Sequence, residues 1–120
     1  MLCKYIFYRI KSISYAIQGL KIGLKTETNL QTHVFAFVAI LPLGLILKLS
    51  PTECIAILTC SALVISCELI NTAVENLSDF VEPKFHPKIA IIKDISAGAV
   101  LITALFSSVI GLIIILNKFL

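Results

Sequence analysis

Glu68, Asn71, Glu75 and Asp79 recur three or four residues apart. At roughly 100° per residue they fall within an arc of about 80° on a single helical face. They follow directly on an apolar run, residues 55–67, that reads as the body of a membrane helix. Carboxylates at or within a membrane are expensive and usually functional. Because they repel one another, something positive should stand nearby: a metal ion, Lys93, or both. Hard oxygen donors of this kind suit Mg²⁺, which takes one or two protein carboxylates plus substrate phosphates. A lysine beside them suits phosphate, and Asn71 can orient a hydroxyl. Glu68, partly desolvated, is placed to serve as a base.

Three readings stay open on these residues alone. One is a phosphoryl-transfer enzyme acting on a lipid at the cytoplasmic interface. Another is a small proton-coupled transporter using Glu68. The third is a structural membrane protein whose charges pair at a helix end. A transporter acid usually sits near the midplane, whereas this cluster lies at one face. No G-x-x-x-x-G-K-[ST] loop is present and the five glycines are scattered, so nothing here names ATP.

The elements that must position these groups follow from composition and pattern. The 120 residues make one domain at most. With 58% hydrophobic and 14% charged residues and a mean hydropathy of +1.01, the chain is too apolar to cover a soluble surface. An all-α integral membrane protein is the expectation. A net charge of +3 without a dense basic patch and interleaved aromatics gives no sign of nucleic-acid binding, and none is expected. No cleavable signal peptide is read, because Lys4, Arg9 and Lys11 interrupt the first apolar stretch. Cys3, Cys54, Cys60 and Cys67 form no C-x-x-C pair and read as small packing residues.

Residues 4–26 predict an amphipathic helix lying in the membrane interface. Ile6, Ile10, Ile13, Ile17, Leu20 and Leu24 alternate steps of four and three against a basic face, with Tyr5, Tyr8 and Tyr15 suited to that depth. A first span is expected over residues 29–49, bent or loosened by Pro42 and Gly44. Ser50, Pro51 and Glu53 spell a capping box that starts the second span, residues 51–82, and Pro83 stops it. Residues 52–80 would be about 42 Å long, more than the roughly 30 Å hydrocarbon core, so this helix must project from the bilayer. Glu68 then lies just inside the membrane, about 24 Å past Thr52, with Glu75 and Asp79 at or beyond the surface. The third span is expected over residues 88–117, with small residues at 96–99 that allow close helix approach.

Orientation follows from the basic residues. Lys4, Arg9, Lys11, Lys21, Lys25, Lys84, Lys88 and Lys93 fall on one side, Lys48 and Lys118 on the other. Eight against two places the N-terminus and the second loop in the cytoplasm and the C-terminus outside it.

The sequence Glu68-Leu-Ile-Asn71-Thr72-Ala73-x-Glu75, then Asp79, His86 and Lys93-Asp94 followed by Ala97-Gly98-Ala99-Val100, resembles the small bacterial integral-membrane diacylglycerol kinase family. The likeness runs from about Gly19 to Gly111. Thr26-Glu27-x-Asn29-x-x-x-His33 and Glu-Leu-Ile-Asn-Thr-Ala are closer to its undecaprenol kinase branch. The resemblance implies an interfacial helix, three membrane helices and a homotrimer with active sites at subunit boundaries, in the bacterial cytoplasmic membrane. It implies ATP as co-substrate, Mg²⁺ as metal, and a membrane lipid alcohol, undecaprenol or diacylglycerol, as acceptor. By the same resemblance Glu68 is the general base. Glu27 and Glu75 hold the metal on the nucleotide, and Arg9, Tyr15, His86, Lys93 and Asp94 contact or flank the nucleotide. Asn71 and Ala97, with Glu68, face the lipid. One departure stands out: the family carries a basic residue midway between His86 and Lys93, where Ala90 and Ile91 stand, with Lys88 earlier. Glu53 and Glu82 read as capping and solvent charges, and His33 as structural rather than a ligand.

Overall fold

The computed structural model describes residues 2–120, with the side chains of Arg9 and of residues 11–120. The expected stripe positions Ile6 and Ile10, and the side chains of Lys4, Tyr5 and Tyr8, lie outside the described side chains. The chain is all-helical, in the order α1 (Leu2–Thr26), α2 (Thr28–Ile46), α3 (Pro51–Val81) and α4 (Pro87–Phe119). The last three are long and apolar enough to cross a membrane.

The start of α3 follows the sequence signal closely. Ser50 Oγ accepts from the Glu53 N–H at 3.3 Å, and Glu53 Oε2 accepts from the Ser50 N–H at 2.6 Å, so two donors at the helix end are satisfied reciprocally. Pro51 occupies the first turn, where a missing N–H costs nothing. Pro87 does the same for α4, with His86 as its N-cap: the imidazole Nδ1 accepts from the Lys88 N–H at 3.3 Å.

The end of α2 differs from expectation. The helix runs through Pro42 without interruption and stops at Ile46, short of residue 49. The Leu49 N–H reaches back to the Gly44 carbonyl at 3.1 Å and the Lys48 N–H to the Leu45 carbonyl at 3.2 Å. Lys48 takes the left-handed conformation, φ 49°, at the position that closes such a motif. Leu49 folds over Gly44, where an added Cβ would meet Leu49 Cδ1 at 3.3 Å. Gly44 therefore admits the terminating residue rather than loosening the helix.

Glu27 breaks the path between α1 and α2 with an extended backbone, φ −110° and ψ 111°. Across that joint Gln31 Nε2 donates to the Leu24 carbonyl at 2.9 Å, satisfying an acceptor that the end of α1 leaves open. Gly23 is buried here, and a Cβ on it would meet Leu30 Cδ2 at 3.0 Å and Leu69 Cδ2 at 3.1 Å. Close helix approach is thus built at Gly23. At Gly98, within the small-residue run where it was expected, an added Cβ meets nothing within 4 Å.

Helices α3 and α4 form an antiparallel pair tied at both ends. Lys93 Nζ meets Asp79 Oδ1 at 2.6 Å, and Lys118 Nζ meets Glu53 Oε2 at 2.9 Å. Lys118 also donates to the Lys48 carbonyl at 3.4 Å. Lys118 in the last turn of α4 and Glu53 in the first turn of α3 each lie where the helix dipole favours their charge.

Lys48 in the left-handed region supplies a direct check on this turn. Lys48→Gly should raise unfolding stability by about 0.5–1 kcal/mol, since relief of the Cβ clash outweighs the added chain entropy. The midpoint of unfolding in a detergent titration reads this. A lowered midpoint would mean that the left-handed turn does not hold the loop.

Candidate active site

The polar stripe of α3 turns inward. Glu68, Asn71, Thr72 and Ser78 are buried while Leu63, Ile70 and Leu77 on the same helix are exposed. That arrangement inverts the soluble rule and suits a helix surrounded by hydrocarbon. Glu68 is only 3% exposed, Glu75 is half-buried, and the Asp79 side chain is 64% exposed. Exposure therefore rises steadily along one face.

Asn71 sits between the two glutamates in sequence and fixes their relation. Its Nδ2 donates to Glu75 Oε1 at 3.0 Å, one helical turn away. This bond commits the amide orientation and leaves Asn71 Oδ1 buried without a hydrogen-bond partner. A buried acceptor left open costs about 1–3 kcal/mol, and among the described residues Asn71 Oδ1 is the side-chain atom that carries this cost. Asn76 Nδ2 donates to the Thr72 carbonyl one turn earlier at 2.9 Å.

Among the described residues, no three His, Cys, Asp or Glu side chains converge into a metal cage. The oxygen donor that α3 offers a metal is the half-buried Glu75 carboxylate. It fits Mg²⁺, which relies on few protein ligands and completes its shell with water and phosphate. It does not fit the closed N/S geometry of a structural zinc site.

The structure brings together Glu68, Asn71 and Glu75 on α3, and joins Asp79 to Lys93 across the α3–α4 pair. The positive partner expected for the stripe is thus present, at its outermost carboxylate. The remaining candidates stand elsewhere. Glu27 is half-buried at the α1–α2 joint, and Arg9 and Tyr15 are exposed on α1. His86 caps α4, while Asp94 and Ala97 are exposed on that helix. Gly23, which seats the end of α1 against Leu69 beside Glu68, was not singled out from sequence. Its signal was the glycine itself, indistinguishable by pattern from the open positions Gly19 and Gly98.

A three-span helical chain with an acidic stripe, an open acceptor and a lysine–aspartate pair at its end has the parts of a phosphotransferase working at a membrane. The comparisons carry this further. The prokaryotic diacylglycerol kinase family matches residues 14–115. An undecaprenol kinase from Bacillus subtilis is 39% identical over 108 residues, 90% of this chain and 88% of that protein. A diacylglycerol kinase from Synechocystis is 34% identical over 83% of this chain, which spans only 58% of that longer protein. A diacylglycerol kinase from Haemophilus influenzae is 32% identical, covering 78% of this chain and 79% of its own. The chain belongs to the prokaryotic diacylglycerol kinase family, which makes it a lipid kinase.

Asn71 separates a structural from a functional role. Asn71→Leu removes the open buried acceptor but also the donor to the half-buried Glu75, two opposing effects that should keep thermal stability within about 1 kcal/mol of the unmodified protein. The same change should lower phosphotransfer roughly a hundredfold or more. A variant that loses stability in step with activity would assign Asn71 to packing alone.

Proposed function

We propose that the chain is an ATP- and Mg²⁺-dependent kinase that transfers the γ-phosphoryl group to a membrane lipid alcohol, undecaprenol or diacylglycerol. The observation that carries this reading is the graded stripe on α3: a carboxylate buried at membrane depth, an open amide oxygen, and a half-buried carboxylate a turn apart. Glu68 accepts the proton of the lipid hydroxyl as that oxygen attacks phosphorus. The Asn71 amide oxygen receives a donor from the reacting groups and, through Nδ2, holds Glu75 in place. Glu75 and Glu27 hold Mg²⁺, which supplies charge neutralisation on the nucleotide phosphates. Lys93, with Asp94, engages those phosphates once nucleotide competes with Asp79 for the ammonium group. Arg9, Tyr15 and His86 flank the nucleotide, and Ala97 lines the approach of the lipid.

Several of these residues are exposed on α1 and α4 of a single chain, which favours a homotrimer in which a neighbouring copy completes each site. The distribution of basic residues supports a bacterial cytoplasmic membrane protein with the N-terminus and the α3–α4 loop in the cytoplasm and the C-terminus outside. In that orientation α1 lies in the interface and presents its basic face to lipid headgroups.

Purified protein in mixed micelles should transfer labelled γ-phosphate from ATP to at least one of the two alcohols, and chelation of Mg²⁺ should stop it. Glu75→Gln should raise the Mg²⁺ concentration for half-maximal rate by about tenfold or more. A folded protein that phosphorylates neither alcohol would defeat the reading. An unchanged Mg²⁺ requirement in Glu75→Gln would remove that residue from the metal site.

A further inference from the structure

Glu27 is the one proposed metal ligand that α3 does not carry. Its backbone is held from both sides: the N–H donates to the Gly23 carbonyl at 2.9 Å, and the carbonyl accepts from the Gln31 N–H at 3.1 Å. Gln31 Nε2, donating to the Leu24 carbonyl at 2.9 Å, closes the same joint. The carboxylate therefore travels with the last turn of α1 and the first turn of α2. Its distance from the stripe is set by how closely that joint approaches α3.

The approach is made at Gly23, which is buried. A Cβ on it would lie 3.0 Å from Leu30 Cδ2 and 3.1 Å from Leu69 Cδ2. Ordinary carbon–carbon contact is about 3.5–4.0 Å, so a methyl group here is short of space by roughly 0.4–1 Å on two sides. Leu30, at 1% exposure, has no room to yield, and Leu69 directly follows Glu68 on α3. Relief comes by withdrawal of the α1–α2 joint from α3, which carries Glu27 with it. Gly19, one turn earlier on α1, meets nothing within 4 Å, so the close approach belongs to Gly23 and not to the glycine before it. A glycine inside a helix is less stable than alanine; at Gly23 the contact leaves no room for alanine.

Resting on the reading in which Glu27 and Glu75 hold Mg²⁺, we infer that Gly23 is a positioning residue for the metal. Its missing side chain lets the end of α1 seat on Leu69 and sets Glu27 at the depth where it shares an ion with Glu75. Mg²⁺ accepts only near-ideal octahedral geometry at about 2.0–2.1 Å. A carboxylate drawn back by roughly half an ångström is therefore a poor ligand for it. Gly23 touches neither metal nor nucleotide; it acts through Glu27.

The test is Mn²⁺ binding to the full-length protein in detergent with a non-hydrolysable ATP analogue, read by electron paramagnetic resonance of the free ion, so that no turnover is needed. Gly23→Ala should weaken Mn²⁺ binding about threefold or more, and Gly23→Val about tenfold or more. Gly19→Val, the control, should stay within about twofold. Glu27→Gln should weaken binding about tenfold or more, and adding Gly23→Val to it should bring no more than about a further twofold, because two changes acting through one carboxylate are not additive. Leu69→Ala, which clears the seat on α3, should return Gly23→Ala to within about twofold of the unmodified protein. Unchanged Mn²⁺ affinity in both Gly23 variants, or full additivity with Glu27→Gln, would overturn the inference. A changed oligomeric state of Gly23→Ala by sedimentation would assign the glycine to assembly and overturn it too. If the unmodified protein takes up no Mn²⁺ with the analogue, Glu27 and Glu75 fail as metal ligands and the inference fails with them, a result distinct from normal binding that ignores Gly23.

Discussion

The constraint on which the structure depends is that the polar stripe of α3 cannot face hydrocarbon. A carboxylate and an amide at membrane depth must be covered by protein or by a ligand. Covering them turns the apolar positions Leu63, Ile70 and Leu77 outward. The antiparallel pairing with α4 follows, clamped by one ion pair at each end. The seating of α1 through Gly23 against Leu69 adds cover on the side nearest Glu68. Burial of Glu68 and Asn71 is therefore the principle by which the helices choose their faces.

Length completes the arrangement. At 31 residues α3 is longer than a bilayer core requires, so one stripe passes from a buried carboxylate to an exposed one. In the proposed function a lipid alcohol and a nucleotide approach from different solvents, and this single helix offers each a carboxylate at its own depth. In the proposed mechanism the Asn71–Glu75 hydrogen bond couples the two. Without it Asn71 Oδ1 would be free to rotate away from the position where a donor is needed. The open acceptor is a local cost of the kind that functional sites retain and stable cores remove.

What the sequence made legible was periodic or local. The spacing of Glu68, Asn71, Glu75 and Asp79 identifies a helical face, and Ser50, Pro51 and Glu53 identify a helix start, because both signals lie within two turns of chain. The family was legible from the same residues, since their spacing is shared. The end of α2 was not, because its termination uses a lysine in the left-handed position rather than the glycine that usually marks it. The close-packed glycine was equally hidden: Gly23 and Gly98 look alike in sequence, and only the fold puts Leu30 and Leu69 against the first. Lys93 was legible as a counter-charge, but its partner Asp79, 14 residues earlier, is fixed only by the pairing of α3 with α4. His86 as an N-cap was missed because histidine rarely fills that role.

The central claim is that Glu68, buried at the lipid end of the stripe, takes the proton of the acceptor hydroxyl. Glu68→Gln keeps the size of the side chain and removes its basicity. Nucleotide affinity and single-turnover phosphoryl transfer, measured on the same preparation, test the claim most directly. Mg²⁺·ATP should bind within about twofold of the unmodified protein, while transfer to the lipid alcohol falls by about a thousandfold. Transfer at a near-normal rate would contradict the account and remove Glu68 as the base.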